Sequence, residues 1–500
     1  MAPATHRALL GSYLAQGYVA GVGIALLPAY LAAMGATGFG LVGLYLTVQA
    51  AVQLFDLGIS PTLSREMARY RAAAISIDVA VQRVAALERV LGMLVVAVAL
   101  VLVLVRHAIA RHWLHGSALE PAQLAHCILA IAVAASLRWL ANFYRQALIG
   151  LECHAQVNAL SSTFATLRFV AVLAWWPWLR EWPVLFFVHQ AGVGLLEIAI
   201  YRKLVLRPLG GTAALSAGCW RGLRPLVPVA ASMALIGGLW IALTQFDRVL
   251  LSRWMDLREY GVFSMAVTAA GGINLLIPPL AQVLQPRLAV LVSTGDRAQL
   301  IAVYRLASQA VAAVFAAVGA TLALMPHQVI YAWSGNAAVT AQAAPMLSLY
   351  ATAYALVAVG SLPFYLQFAH GRLRLHLLNN IVATAVLLPA FWFTARQWGA
   401  IGTGATFCVV NAISLLSWVP WVQSRFLGPE AKRWLVPDVL LPGFVAVAAV
   451  GLAAHALPFS TSRIADVVEV LSVLGVALPL GALAGRHSRG ALRNLIRGMA

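Results

Sequence analysis

Fourteen apolar stretches, each long enough to cross a bilayer, fill almost all of this 500-residue chain. Val90 to Val105 runs sixteen residues without one polar side chain. A span needs about 20 mostly apolar residues. In lipid the backbone must satisfy its own hydrogen bonds, so such runs are helices. A composition 62% hydrophobic and 10% charged, with mean hydropathy +0.86, is more than any water-soluble core requires. The expected fold is therefore all-α integral membrane, with about fourteen transmembrane helices.

The segmentation puts spans near residues 9–34, 39–60, 86–106, 122–144, 159–178, 183–201 and 225–247, then 259–285, 303–326, 342–369, 376–395, 400–424, 436–457 and 466–485. An even number leaves both termini on one face. With the termini inside, 24 of the 34 Lys and Arg residues fall on inner segments and seven on outer loops, while Arg138, Arg168 and Arg248 lie within spans. Basic residues accumulate in short cytoplasmic loops, so the N- and C-termini are expected to be cytoplasmic. The first span is full length and lacks a small-residue cleavage site, so it is expected to stay as an anchor.

The same bias accounts for the net charge of +18 and the pI near 10.6. The basic loops face anionic inner-leaflet lipid, and no nucleic-acid partner is expected. Cys127, Cys153, Cys219 and Cys408 are scattered, without C-x-x-C pairs or clustered histidines. Neither a disulfide framework, a metal site nor a cofactor is indicated.

The longest basic inner loop, 204–224, divides the spans into a six-helix lobe at 1–203 and a second at 225–425, followed by an accessory helix pair at 436–485 and a basic cytoplasmic tail at 486–500. The second span of each lobe opens alike, Gly38-Phe39-Gly40-Leu41 beside Glu259-Tyr260-Gly261-Val262. Duplicated lobes suit an alternating-access carrier. The second span also carries Gln49, Gln53, Asp56 and Ser60 at i, i+4, i+7 and i+11, one polar helical face toward something wet. Interhelical hydrogen bonding would use the same residue types.

Ionisable groups inside spans are costly and face a cavity or a partner. Arg138, Asn142 and Arg145 form one basic face at i, i+4 and i+7 of the fourth span. Arg168 is central in the fifth, Glu197 lies in the sixth, and Asp247-Arg248 lies toward the outer end of the seventh. Two readings stand. Arg168 can pair with Glu197, and Asp247 with Arg248, as structural ion pairs. Alternatively Arg138, Asn142, Arg145 and Arg168 bind a di-anionic substrate such as a pyrophosphate, whose oxygens match the guanidinium fork. In that case Asp56, Glu197, Asp247 and Arg248 are the candidates for gating or ion coupling.

The block from Gly38-Phe39-Gly40-Leu41 through Phe55-Asp56-Leu57-Gly58-Ile59-Ser60-Pro61 to Arg65-Glu66 resembles the bacterial polysaccharide flippases, within the superfamily of multidrug, oligosaccharidyl-lipid and polysaccharide exporters. So do Phe246-Asp247-Arg248-Val249-Leu250-Leu251-Ser252, followed by Glu259-Tyr260-Gly261 and Pro278 to Pro286-Arg287. The resemblance implies a V-shaped pair of lobes that moves undecaprenyl-pyrophosphate-linked oligosaccharide from the inner to the outer leaflet of the cytoplasmic membrane. It also implies coupling to protons or sodium ions, polysaccharide polymerase partners, and a last helix pair that shelters the lipid tail. A membrane-embedded ligase, polymerase or glycosyltransferase would show a large polar loop, and no D-x-D motif occurs. The only lysines, Lys203 and Lys432, follow no glycine, so no ATP-binding P-loop exists. A multidrug exporter of the same superfamily would favour acidic cavity residues, whereas this set is net basic. No catalytic residue is assigned.

The charge asymmetry makes a direct prediction. A reporter fused after Arg374 reads cytoplasmic and one beside Trp113 reads external; finding Trp113 inside would reverse the orientation.

Overall fold

The computed structural model describes residues 3–114, 119–211, 223–429, 434–457 and 462–490. Expectations resting on Cys219, Arg221, Lys432, Arg433, Arg493 and Arg497 lie outside them. Every described element is helical, and the chain forms two compact units, Met1–Gly261 and Val262–Ala500. The first holds α1 (Pro3–Ala25), α2 (Leu27–Val52), α3 (Ile59–Arg71), α4 (Ile77–Ala108), α5 (Pro121–Gly150), α6 (His154–Ala165), the short α7 (Trp176–Leu179), α8 (Val184–Leu206) and α9 (Val227–Trp254). Helix α10 (Leu257–Gly271) starts in this unit and continues into the second. There it is followed by α11 (Ile277–Thr294), α12 (Arg297–Leu324), α13 (Pro326–Ser334), α14 (Ala337–Gly360), α15 (Leu362–Ala369), α16 (Arg374–Ile413), α17 (Val419–Leu427), α18 (Leu441–Ala456) and α19 (Arg463–Ala484).

By length and composition, twelve runs of helix among the described residues can cross a membrane. Two of them, Leu14–Asp56 at 43 residues and Arg374–Leu427 at 54, are too long for one straight pass. At 1.5 Å per residue they would reach about 65 and 80 Å, against a hydrocarbon core of about 30 Å. Each is broken at a glycine in the left-handed region, Gly35 (φ 72°) and Gly399 (φ 56°). That backbone is strained for any residue with a Cβ. The breaks fall where the sequence segmentation leaves its loops, between 34 and 39 and between 395 and 400.

Small residues set how close the helices come. In the first unit α5 packs on α2, α3, α4 and α8, and its buried side includes Ala134, Ala135, Ala141 and Ala147. In the second unit α18 and α19 pack on α12 through Ala317, Ala320, Ala446, Val450 and Ala477. Small contact residues let backbones approach where lipid supplies no hydrophobic drive. The outward faces are apolar: Leu104, Phe444, Leu452 and Ile464 are at least 70% exposed, as contact with lipid tails requires.

The two similar segments noted in the sequence meet each other. A Cβ on Gly40 would sit 1.9 Å from the Leu257 carbonyl oxygen, and one on Gly261 would sit 2.9 Å from the Gly40 nitrogen. Beside this crossing the hydroxyls of Thr47 and Tyr260 hydrogen-bond at 2.5 Å. The polar face expected from Gln49 to Ser60 is not continuous. Helix α2 ends at Val52, Gln53–Asp56 is a 3₁₀ turn, and Leu57 and Gly58 both take positive φ. Ser60 is therefore off the helical register and restarts the chain in α3.

Gly40→Val is expected to abolish stable membrane expression, because the obstruction is backbone. Gly11→Val, with nothing within 4 Å, should be tolerated. Equal detergent-extracted yields of the two variants would contradict the close crossing.

Candidate ion-paired site in the first unit

Arg168 stands on a π-helical turn, Thr166–Val170, that interrupts the fifth span after α6. Such turns displace carbonyls from the i→i+4 ladder, and they occur often at functional sites. Side chains collect the displaced groups here. Tyr30 Oη donates to the Phe169 carbonyl at 2.6 Å, Gln190 Nε2 to the Arg168 carbonyl at 2.9 Å, and His189 Nε2 to the Leu167 carbonyl at 2.8 Å. Trp175 Nε1 donates to the other nitrogen of the His189 ring at 3.3 Å, consistent with that tautomer. The turn is thereby held from α2 and α8, and the Arg168 side chain with it.

Two guanidiniums converge on one carboxylate. Arg138 Nη1 donates to both oxygens of Glu197, at 2.8 and 2.9 Å, and Arg168 Nη2 donates to Oε2. The Glu197 and Arg168 side chains are only 3% and 4% exposed, whereas that of Arg138 is 37% exposed. A guanidinium in hydrocarbon is costly, so the open part of Arg138 is expected to meet water or a polar ligand. Arg168 Nη1 also reaches Gln190 Oε1 at 3.5 Å, and its buried Nε has no hydrogen-bond partner. One helical turn beyond Asn142, Arg145 Nη2 donates to Asn142 Oδ1 at 2.9 Å, and both residues are half-buried. No carboxylate among the described residues forms an ion pair with Arg145. Three arginines against one glutamate leave a formal charge of +2.

The structural pairing of Arg168 with Glu197 and a basic face on α5 are therefore both present. The pairing is not one-to-one, because Arg138 shares the same glutamate.

Asp56 has a different place. Its Oδ2 accepts from the Ser60 backbone N–H at 3.0 Å, and its Oδ1 accepts from the Ser60 hydroxyl at 2.5 Å and from Trp139 Nε1 at 3.0 Å. These bonds cap α3 and tie it to α5. Asp247 and Arg248 lie on α9, with Asp247 buried, and α9 packs on α2 and α3. Shortly after them Ser252 Oγ accepts from Trp113 Nε1 at 3.1 Å, and the Arg253 guanidinium lies over the Trp113 ring at 5.1 Å.

Several partners were not anticipated from sequence. Gln190 stands seven residues before Glu197 and so shares its helix face, a spacing that could have revealed it. Glu66, fully buried, is held by Arg83, by Arg69 at 3.3 Å and by Arg65 at 3.9 Å. Glu88 accepts from Tyr144 Oη and Arg202 Nε, both at 2.9 Å. In the second unit Asp438 takes Arg305 Nε at 2.6 Å and Gln309 Nε2 at 2.5 Å. The Gln309 side-chain oxygen then accepts the His487 and Ser488 backbone N–H groups at 2.9 and 3.0 Å, so one residue of α12 holds the chain before α18 and after α19. Apart from Arg65 and Arg69, which are neighbours of Glu66 on α3, these contacts join positions 17 to 179 residues apart, beyond any local pattern.

The fold has solved counterparts. The chain is similar to the lipid II flippase MurJ in an inward closed conformation, with TM-score 0.68 and 10% identity over 98% of this chain and 99% of that one. It is similar to an inward-facing multidrug resistance MATE family transporter of the MOP superfamily, with TM-score 0.64 and 15% identity over 84% and 96%. A MOP superfamily transporter from Pyrococcus furiosus, described as having a binding pocket of reverse polarity, matches with TM-score 0.55 and 15% identity over 84% and 95%. No curated protein sequence matches the chain. The fold is thus that of the MOP superfamily transporters, a multi-pass helical membrane architecture. Residues 9–292, more than half of the sequence, match the family described as polysaccharide biosynthesis protein, and the chain belongs to that family.

Proposed function

We propose that this protein is a flippase that carries a diphosphate-linked, lipid-borne oligosaccharide from the inner to the outer leaflet of the cytoplasmic membrane, for surface polysaccharide assembly. The observation that carries the proposal is the charge imbalance around Glu197: a +2 site with one guanidinium open to water. A site of that sign attracts a diphosphate and repels the organic cations that a multidrug exporter must hold. The family match supports a role in polysaccharide biosynthesis, and the resemblance to flippases supplies undecaprenyl pyrophosphate as the carrier lipid. On this reading the protein is a carrier rather than an enzyme.

Transport proceeds by alternating access of two lobes, 1–203 and 225–425, with the termini and the anionic-lipid-facing loops cytoplasmic. Arg138, Arg145 and Asn142 receive the diphosphate, and Arg168 backs the site from beneath Glu197. Asp247 and Arg248 serve the outer gate or the coupling of protons or sodium ions, and the Asp56 cap transmits movement of α3 to α5. In the second unit an apolar cavity of about 680 Å³ lies among α12, α14 and α18, lined by Ala312, Ala316, Leu356, Val439 and Phe444. It fits a prenyl chain, which carries no polar group to satisfy. Polysaccharide polymerases are the expected partners on the receiving side.

Complementation of a flippase-null strain tests the assignment, with lipid-linked intermediates measured. Arg138→Ala and Arg145→Ala should each lower export about tenfold to a hundredfold at matched membrane levels, the effect of one charge-assisted hydrogen bond of about 1.5–3 kcal/mol. Lys at position 138 should restore it only in part, because an ammonium has no bidentate fork. Normal export by both alanine variants would reject the site. Arg168→Ala differs in kind: removing one member of a buried ion pair costs about 3–5 kcal/mol. A lowered thermal midpoint is therefore expected for it but not for Arg145→Ala.

A further inference from the structure

Resting on the anionic-substrate proposal, we infer that Glu197 is an internal competitor for the substrate: it holds Arg138 while the carrier is empty and yields it to the diphosphate on binding. The asymmetry of the two arginines supports this. Arg138 uses a single nitrogen, Nη1, toward Glu197. Its Nη2 and Nε make no hydrogen bond among the described residues, and its side chain is 37% exposed. It therefore presents an unused donor edge to water while remaining tethered. Arg168 presents none, being 4% exposed and fixed on a π-helical turn by Gln190 and Tyr30.

The two guanidiniums also differ in what their release would cost. A buried charge that loses its partner is heavily penalised, so Glu197 cannot abandon Arg168. A half-exposed guanidinium that leaves the carboxylate is rehydrated or taken up by phosphate oxygens, which its planar fork matches better than a shared contact through one nitrogen. Diphosphate entry thus exchanges one anion for another at Arg138, and Arg168 keeps Glu197 neutralised throughout. On the outer side Glu197 recovers Arg138 and displaces the cargo. Without a competitor the site would bind tightly and release slowly, a poor property in a carrier. Glu197 is in this sense a positioning residue, acting on the substrate through Arg138.

The test uses full-length protein in lipid nanodiscs, with farnesyl diphosphate as the binding probe and export in complemented null cells as the second readout. Glu197→Gln should tighten probe binding about tenfold or more while lowering export. The double variant Arg168→Gln/Glu197→Gln removes both members of the buried pair, leaves no orphan charge, and should do the same. Arg168→Gln alone should weaken binding, because Glu197 then serves Arg138 exclusively. A glutamate with only a structural role would lower binding and export together. Unchanged or weaker binding by the folded double variant, with Arg138→Ala still losing the probe, overturns the competitor role and leaves the anionic-substrate proposal standing. Probe binding unaffected by Arg138→Ala overturns both.

Discussion

The Glu197 carboxylate is the constraint around which the first unit is arranged. A buried anion demands partners, and here two guanidiniums from different helices meet that demand at once. To bring them there, α5 and α8 must pack closely, and the fifth span must leave α-helical register so that Arg168 points inward. The π-helical turn does the second, at the expense of three backbone carbonyls that would lack donors in a lipid environment. Tyr30, His189 and Gln190 supply those donors. Polar residues that look incidental on apolar helices are thus parts of a single arrangement.

A similar economy governs the rest of the chain. Hydrophobic burial gives helices in lipid little reason to associate, so close approach and polar contacts must do it. Gly40 against Leu257 is the extreme case of approach, with no room for a single methyl. Asp438 with Arg305 and Gln309 is the corresponding polar anchor in the second unit. It places a fully buried carboxylate at the start of the helix pair, while Arg463 at the start of α19 donates to the Ala332 and Trp333 carbonyls of α13. The accessory pair is consequently joined to α12 by a polar lock at one end and by small-residue packing along its length.

Carriers need sites that bind without trapping. The first unit contains a buried charge pair and a partly exposed one within a single cluster, because burial differs sharply between Arg168 and Arg138. That difference is a tertiary property: both residues are arginines in apolar spans, and nothing local separates them.

What the sequence determined alone is substantial. Apolar run length dictated helices, and the isolated ionisable residues within spans identified Arg138, Arg168 and Glu197 as groups that need partners. The glycine breaks at Gly35 and Gly399 were also legible, as gaps in the segmentation. The tertiary structure alone decided which partners meet. Glu66 finds Arg83 on the next helix, and Glu88 and Asp438 find theirs across long sequence separations that no helical period encodes. It also decided that Asp56 and Ser60 do not continue one helical face, because Leu57 and Gly58 take left-handed conformations that allow Asp56 to cap α3. Periodicity assumes an unbroken helix, and a two-residue reversal is a local event that hydropathy does not register. The reason is general to such chains: lipid fixes what each segment must be, whereas side-chain pairing inside the protein fixes where it must go.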